Sequence, residues 1–241
     1  MFHQLEIYLR KPCALSQKSP RGLPHLEHQL VHRQKYFFVT ECLALFGSYQ
    51  DAMTPNEWSL YHARLSFSMN LKMISPLEVI NRAILEWENN PEKIAYHQLE
   101  GFVRQIIGWR EYLNGMYWHL GADYKFKNGL TAQRKLLPLF QDSSKTKMKC
   151  MQGIVTDIET RAWTHHIPRL MILSNLALVT GVNPIEFLDW MREQFIDATE
   201  WVMVPNIIGM GLHADGGQLM TKPYAAGGAY ISRMTQFCKG C

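Results

Sequence analysis

Charge is scarce in this 241-residue sequence: Asp, Glu, Lys and Arg make up 19% of it, against 47% hydrophobic residues. That balance excludes a swollen, disordered chain and leaves ample material for a packed core. Long apolar runs are missing as well. No stretch reaches the roughly 18–20 apolar residues that a membrane helix needs. The first twenty residues, MFHQLEIYLRKPCALSQKSP, lack the continuous apolar centre of a secretory signal. The expectation is a cytoplasmic protein with no membrane partner. Cysteine is sparse and odd in number (Cys13, Cys42, Cys150, Cys238, Cys241), which argues against a disulfide framework. Alternating apolar–polar runs between turn pairs are nearly absent, so the fold class expected is all-α. What is plentiful is tryptophan: seven indoles, suited to cores, stacking surfaces or electron transfer. The net charge of +4 permits a polyanion partner without requiring one.

Residues 1–40 form a basic, poorly patterned stretch punctuated by Pro12, Pro20 and Pro24, expected to be an extended lead-in. Helical signals follow. SPLEVINRAILEWE (75–88) opens with Ser, then Pro at the first helical position and an acid in the first turn. QLEGFVRQIIGWREYLNGMYWHL (98–120) places Leu99, Phe102, Ile106, Trp109, Leu113 and Met116 at helical spacing. NPIEFLDWMREQF (183–195) repeats the cap-then-proline opening. Residues 202–230 are rich in Gly and Pro yet apolar, and are expected to wind through the structure irregularly and line something.

Several constellations carry chemistry. In TRAWTHHIPRLMILSNLALVTG (160–181), His165 and His166 precede an apolar helix. Adjacent helical residues point about 100° apart, so both imidazoles cannot share one buried face. With Arg169 just beyond, they suggest the wall of a cavity. Arg169 in so apolar a helix needs a carboxylate, and Asp197 is the candidate, either as a structural ion pair or as one that also polarises a bound ring. Gln105, Trp109 and Arg110 read either as a core helix with an Arg–Glu surface pair or as a pocket floor for a planar ligand. His62, Arg64, Ser66 and Asn70 lead into a helix, where hydroxyls, amides and backbone N–H groups suit phosphates, although a solvated face explains them equally. The ending FCKGC has the spacing that lets two thiolates face one metal or cluster.

Taken together, LFGSYQDAM, LYHARLSFSMNLKMISPLEVI, EGFVRQIIGWREYLNGMYW, HHIPRLMILSNLAL, DWMREQFIDATEWVMVPNIIGM and ADGGQLMTKPYAAGGAYI resemble the flavin-binding helical domain of the photolyase/cryptochrome family. The nearest branch is the iron–sulfur bacterial cryptochromes and prokaryotic (6-4) photolyases. The resemblance runs from about Leu45 to Cys241 and implies a domain over residues 41–241. It implies FAD held among helices by His62, Arg64, Leu65, Ser66, Asn70, Gln105, Trp109, Arg110, Arg169, Asp197 and Met203. Damaged DNA is the implied partner, with His165, His166, Tyr224 and Tyr230 lining a lesion pocket. In that reading His166 protonates the photoproduct while photo-excited reduced flavin donates an electron. Histidine suits that role near neutral pH, and the lesion must be flipped from the stack to reach it. Trp190 matches a flavin-proximal electron-transfer tryptophan. Cys150, Cys238 and Cys241 match three of four 4Fe-4S ligands.

The sequence departs from the family pattern in three respects. It is little more than half the usual length, without the α/β antenna domain, which a separately encoded N-terminal half would supply. It ends before the fourth cluster cysteine. Asp142 stands where a tryptophan is usual, and Met191 where an aromatic often follows Trp190. These departures keep a second reading open, a non-catalytic flavin- or DNA-binding remnant.

Overall fold

The fold, given by a computed structural model, is described for residues 25–237. The chain divides into two units. One comprises residues up to Gln50 with Tyr61–Ile106, the other Asp51–Leu60 with Ile107 onward.

In the first unit, α1 (His25–Phe37) passes into a π turn (Phe38–Cys42) and α2 (Leu43–Tyr49). The helix begins at His25, inside the stretch expected to be extended. Beyond Pro24 the sequence has no proline to stop it, and Val31, Gln34 and Phe38 recur at helical spacing and are buried. α3 (Ser66–Asn70), α4 (Pro76–Asn89) and α5 (Tyr96–Arg104) complete the unit. Phe38, Leu43, Phe46, Val79, Leu99, Phe102 and Ile106 form its core. Ser75 precedes α4 as the sequence predicts but makes no capping hydrogen bond; Pro76 and Glu78 mark the start. α2 and α5 approach closely at Gly47, where a Cβ would stand 2.9 Å from Gln98 Oε1. The buried Gln98 carboxamide accepts from Ser48 N–H (3.2 Å) and donates to Ser48 Oγ (2.7 Å). A larger residue at 47 would break that clasp. A second π turn (Gln105–Arg110) contains the boundary between the units.

The second unit holds α6 (Glu111–Leu120), 3₁₀ turns at Ala122–Phe126, Pro138–Phe140 and Ser143–Lys145, and α7 (Lys149–Arg161). A π turn (Pro168–Ser174), α8 (Asn175–Thr180), α9 (Pro184–Gln194) and α10 (Glu200–Val204) follow, then a π turn (Pro205–Gly211) and α11 (Gly228–Met234). Among the described residues there is no strand, only the isolated bridges Met53–Thr235 and Arg134–Val182. The core gathers Phe140, Met151, Ile154, Leu173, Phe187, Leu188, Trp190 and Ile208. Residues 202–211 are helical rather than irregular, because Met203, Val204, Ile207 and Ile208 bury one face. Pro205 costs little, since its missing N–H falls where the α ladder widens into the π turn. Pro168 lies in the first turn of a helix that opens at His166, where the N–H groups have no intrahelical partner, so it does not bend that helix. Asn183 caps α9, accepting from Ile185 N–H at 2.9 Å. No helix among the described residues is long and apolar enough to cross a membrane.

Candidate functional site

In the first unit, His62 packs edge-on against Phe46 with ring centroids 5.6 Å apart. Arg64 has a left-handed backbone (φ 55°) and is 5% exposed; its Nη2 donates to Gln34 Oε1 at 2.9 Å. Gln34 in turn donates to Ala63 O at 3.0 Å. The guanidinium therefore braces the turn that carries residues 63–66. Leu65 is buried, whereas Ser66 and Asn70 are half-buried at the two ends of α3. Gln105 is exposed and donates to Gln50 Oε1 at 3.3 Å.

In the second unit, Arg110 pairs with Glu111 at 2.8 Å, the surface ion pair that the sequence offers as one alternative, and its guanidinium also lies 4.7 Å from the Trp201 ring. Trp109 meets Tyr112 edge-on. Arg169 and Asp197 form a two-pronged pair: Nη1 donates to Oδ1 at 2.9 Å and Nη2 to Oδ2 at 3.0 Å. Arg169 Nε donates to Thr164 O at 2.7 Å, and the guanidinium lies 4.2 Å from the Phe195 ring. A guanidinium has five N–H groups, so two remain beyond these three bonds. Met203 is buried.

The adjacent histidines separate: His165, just ahead of the helix, is buried, and His166, its first residue, is exposed. Desolvation of the ring, reinforced by the Arg169 cation, pushes the His166 imidazole down from 6.5 to about 4. Tyr224 packs against the small cluster of Leu113, Leu170, Met171, Met210 and Leu219. The tyrosine expected at a lesion pocket, Tyr224, thus packs on a cluster to which the helix after the two histidines contributes Leu170 and Met171. Tyr230 is exposed on α11 with Arg233 over its ring.

Two buried polar residues hold the irregular segment between Leu212 and α11, and sequence reading missed both. Asp215 accepts from Gly217 N–H, Leu219 N–H and Tyr124 Oη–H at 2.9, 2.8 and 2.7 Å. Burial and Asp215 together push the Tyr124 phenol far above its usual range. Asn175 grips Ala226. The signal available was an Asp in a Gly-rich turn and an Asn within an apolar run.

Trp190 is boxed by Phe140, Phe187 and Phe195 at 5.2, 5.7 and 6.4 Å, and its buried Nε1–H has no hydrogen-bond partner among the described residues. Met191 is buried in the core, and Asp142 caps a 3₁₀ turn by accepting from Ser144 N–H and Oγ–H, which holds its carboxyl below the usual range. Neither position supplies an aromatic ring.

Cys150 is buried at the start of α7. Three residues on, Gly153 meets the Phe237 ring so closely that a Cβ there would lie 2.5 Å from it. Cys13, Cys238 and Cys241 lie outside the described residues. Among the described residues no group of three His, Cys, Asp or Glu side chains could hold a metal ion. Separately, a cavity of about 470 Å³ opens beside Asn128, Arg134, Val179 and Leu212. It contains none of the residues expected from sequence.

No family model matches the chain. A (6-4) photolyase of Agrobacterium fabrum is 44% identical over 211 residues, 85% of this chain, and the chain spans 40% of that relative's length. Two uncharacterized proteins of Acanthamoeba polyphaga mimivirus match shorter stretches, at 36% identity over 69 residues and 29% over 75, covering 56% and 57% of their lengths. A crystal structure of a bacterial class III photolyase from Agrobacterium tumefaciens superposes with a TM-score of 0.63 at 17% identity, over 81% of this chain and 39% of that one, which establishes the all-α fold. With the sequence identity beside it, the chain belongs to the photolyase/cryptochrome family, in the branch of the prokaryotic (6-4) photolyases.

Proposed function

We propose that this chain is a cytoplasmic FAD-binding helical domain, spanning residues 41–241, that recognises damaged DNA and takes part in light-driven repair of pyrimidine (6-4) photoproducts. The relative of 44% identity is a (6-4) photolyase, and the chain carries that family's motifs in order. The observation that carries the reading is the Arg169–Asp197 pair. A partly buried guanidinium fixed at three points, with two N–H groups left over, fits the acceptor-rich edge of a flavin. The fit extends to Trp190, whose buried N–H, without a partner among the described residues, costs about 1–3 kcal/mol that phenylalanine would avoid. An indole retained at that cost is explained by its redox chemistry.

FAD, when bound and reduced, supplies the electron for bond cleavage. Each remaining role belongs to a residue of this chain. In the first unit, Ser66, Asn70 and the turn braced by Arg64 offer groups suited to phosphate and sugar, and Gln105 offers an amide; in the second, Trp109 and Arg110 offer an indole and a guanidinium, and Asp197 keeps Arg169 oriented. His165, packed inside, supports His166, while Tyr224 and Tyr230 contact the extruded lesion. His166 is neutral at pH 7 in the ligand-free chain. Its imidazole becomes a proton donor once a DNA phosphate offsets the Arg169 cation and raises its affinity for a proton.

A 4Fe-4S cluster fits the same reading. The Phe237 ring lies against Gly153, one turn along α7 from the buried Cys150. Cys150, Cys238 and Cys241 would hold iron as thiolates.

A second reading, a flavin- or DNA-binding module without repair activity, is favoured by Asp142 and Met191. Both serve the fold where the family carries aromatic electron donors. The test is illumination of the FAD-loaded protein with an oligonucleotide containing a (6-4) photoproduct. Repair that His166→Ala abolishes supports catalysis; binding of lesion or flavin without repair supports the module; failure to bind either refutes both.

A further inference from the structure

The irregular segment leading to α11 hangs from a residue to which the proposed activity assigns nothing. Asn175, the first residue of α8, is 5% exposed. Its Nδ2–H donates to Ala226 O at 2.9 Å, and its Oδ1 accepts from Ala226 N–H at 3.0 Å. A carboxamide paired both ways with one residue's backbone fixes orientation as well as distance. Asn is a poor helix former, and its amide is costly to bury unpaired. Leucine would serve the core better, so the amide is explained by what it holds.

What it holds is the loop that carries Tyr224. Residues 221–227 have no helical or strand hydrogen bonding of their own, and Thr221, Lys222, Pro223, Ala225 and Gly227 are exposed. Tyr224 itself packs on the cluster that includes Leu170 and Met171. Asn175 follows those residues on one run of helical turns, six positions after Arg169. One rigid element thus supports the pair expected at the flavin edge and, through Asn175, the loop expected at the lesion.

We propose that Asn175 is a positioning residue for recognition of damaged DNA, setting through Ala226 the backbone from which Tyr224 reaches the extruded base. The inference rests on the function proposed above. Asn175 is not a catalytic residue, since its side chain is committed to the loop.

The test uses the full chain loaded with FAD and two variants. Asn175→Asp keeps shape and acceptor but removes the donor to Ala226 O. Ala226→Pro removes the other hydrogen bond from the half-buried loop side and leaves Asn175 and its helix unchanged, so a folding failure of the first variant does not end the experiment. Hydrogen exchange over residues 222–228, the melting profile, and affinity for a (6-4)-lesion duplex and its undamaged counterpart are measured together. The expected result is faster exchange in the loop, unchanged affinity for undamaged duplex, and loss of lesion preference on the order of tenfold. Lesion preference that survives while the loop exchanges faster overturns the proposal, as does unchanged exchange in both variants. Equal binding of the two duplexes by the unmodified chain refutes the functional reading itself, and this role with it.

Discussion

Removing Asp197 is expected to cost this protein far more than removing an ordinary surface acid. The carboxylate is 7% exposed and Arg169 17%, so Asp197→Ala strands a mostly desolvated guanidinium. Breaking a buried pair from one side costs about 3–5 kcal/mol. Arg169 keeps its bond to Thr164 O, its place over Phe195 and some contact with water, which sets the loss near the lower end, about 3 kcal/mol. Replacing both partners together, as Arg169→Met with Asp197→Leu, is expected to recover more than half of that loss, because no charge is then left buried. Urea unfolding followed by tryptophan emission measures the effect, since six of the seven indoles lie in the second unit with the pair. A single-variant loss below about 0.5 kcal/mol, the size typical of an exposed ion pair, would refute the account of a desolvated clamp.

Other outcomes follow from single contacts. Trp190→Phe removes a buried donor without a partner along with part of a ring; the opposing effects of a small cavity and a removed desolvation penalty leave the urea midpoint within about 1 kcal/mol of the original stability. A loss above about 3 kcal/mol would mean that the indole is mainly packing. Because the folded chain holds His166 near 4 while an unfolded histidine titrates near 6.5, the unfolded state takes up its proton first as pH falls. Stability is therefore expected to decline from pH 6.5 toward 4, and His166→Gln to flatten that slope in melting curves; an identical slope in the variant would count against it. Gly153→Ala drives a methyl into the Phe237 ring and is expected to displace the segment leading to Cys238. Anaerobically prepared variant protein should then carry less iron than the unmodified chain, and equal iron would separate the metal site from that contact.

Helices announced by both a cap and a period were legible in the sequence. The proline start of 75–88, the Asn-Pro start at 183 and the apolar rows of 98–120 and 170–179 all became helices close to the expected bounds. Four π turns were not legible, because an extra residue in a turn leaves the apolar spacing nearly unchanged. Three of them fall on or within two residues of Gln105–Arg110, Arg169 and Met203. Residues 25–35 read as basic lead-in because their charges dominate the composition, while the few inward residues, Val31 and Gln34, suffice to bury one face. Arg169 and Asp197 could be paired in advance because a buried cation requires an anion. The clasps of Asp215 and Asn175 could not: their partners are backbone groups, and a sequence does not state which peptide will come near. The low proton affinity of His166 was hidden in part: the Arg169 cation three residues on was in view, but desolvation, the larger cause, depends on what the fold packs around the ring.

The most direct test of the central claim is the dark absorption spectrum of the purified protein after loading with FAD and removal of free cofactor. The account requires a stoichiometric flavin band with resolved vibrational structure, as a ring held rigidly beside Arg169 would give, and loss of that band in Arg169→Ala protein that still folds. A spectrum without flavin after desalting, or one identical to free FAD and indifferent to Arg169, would contradict it.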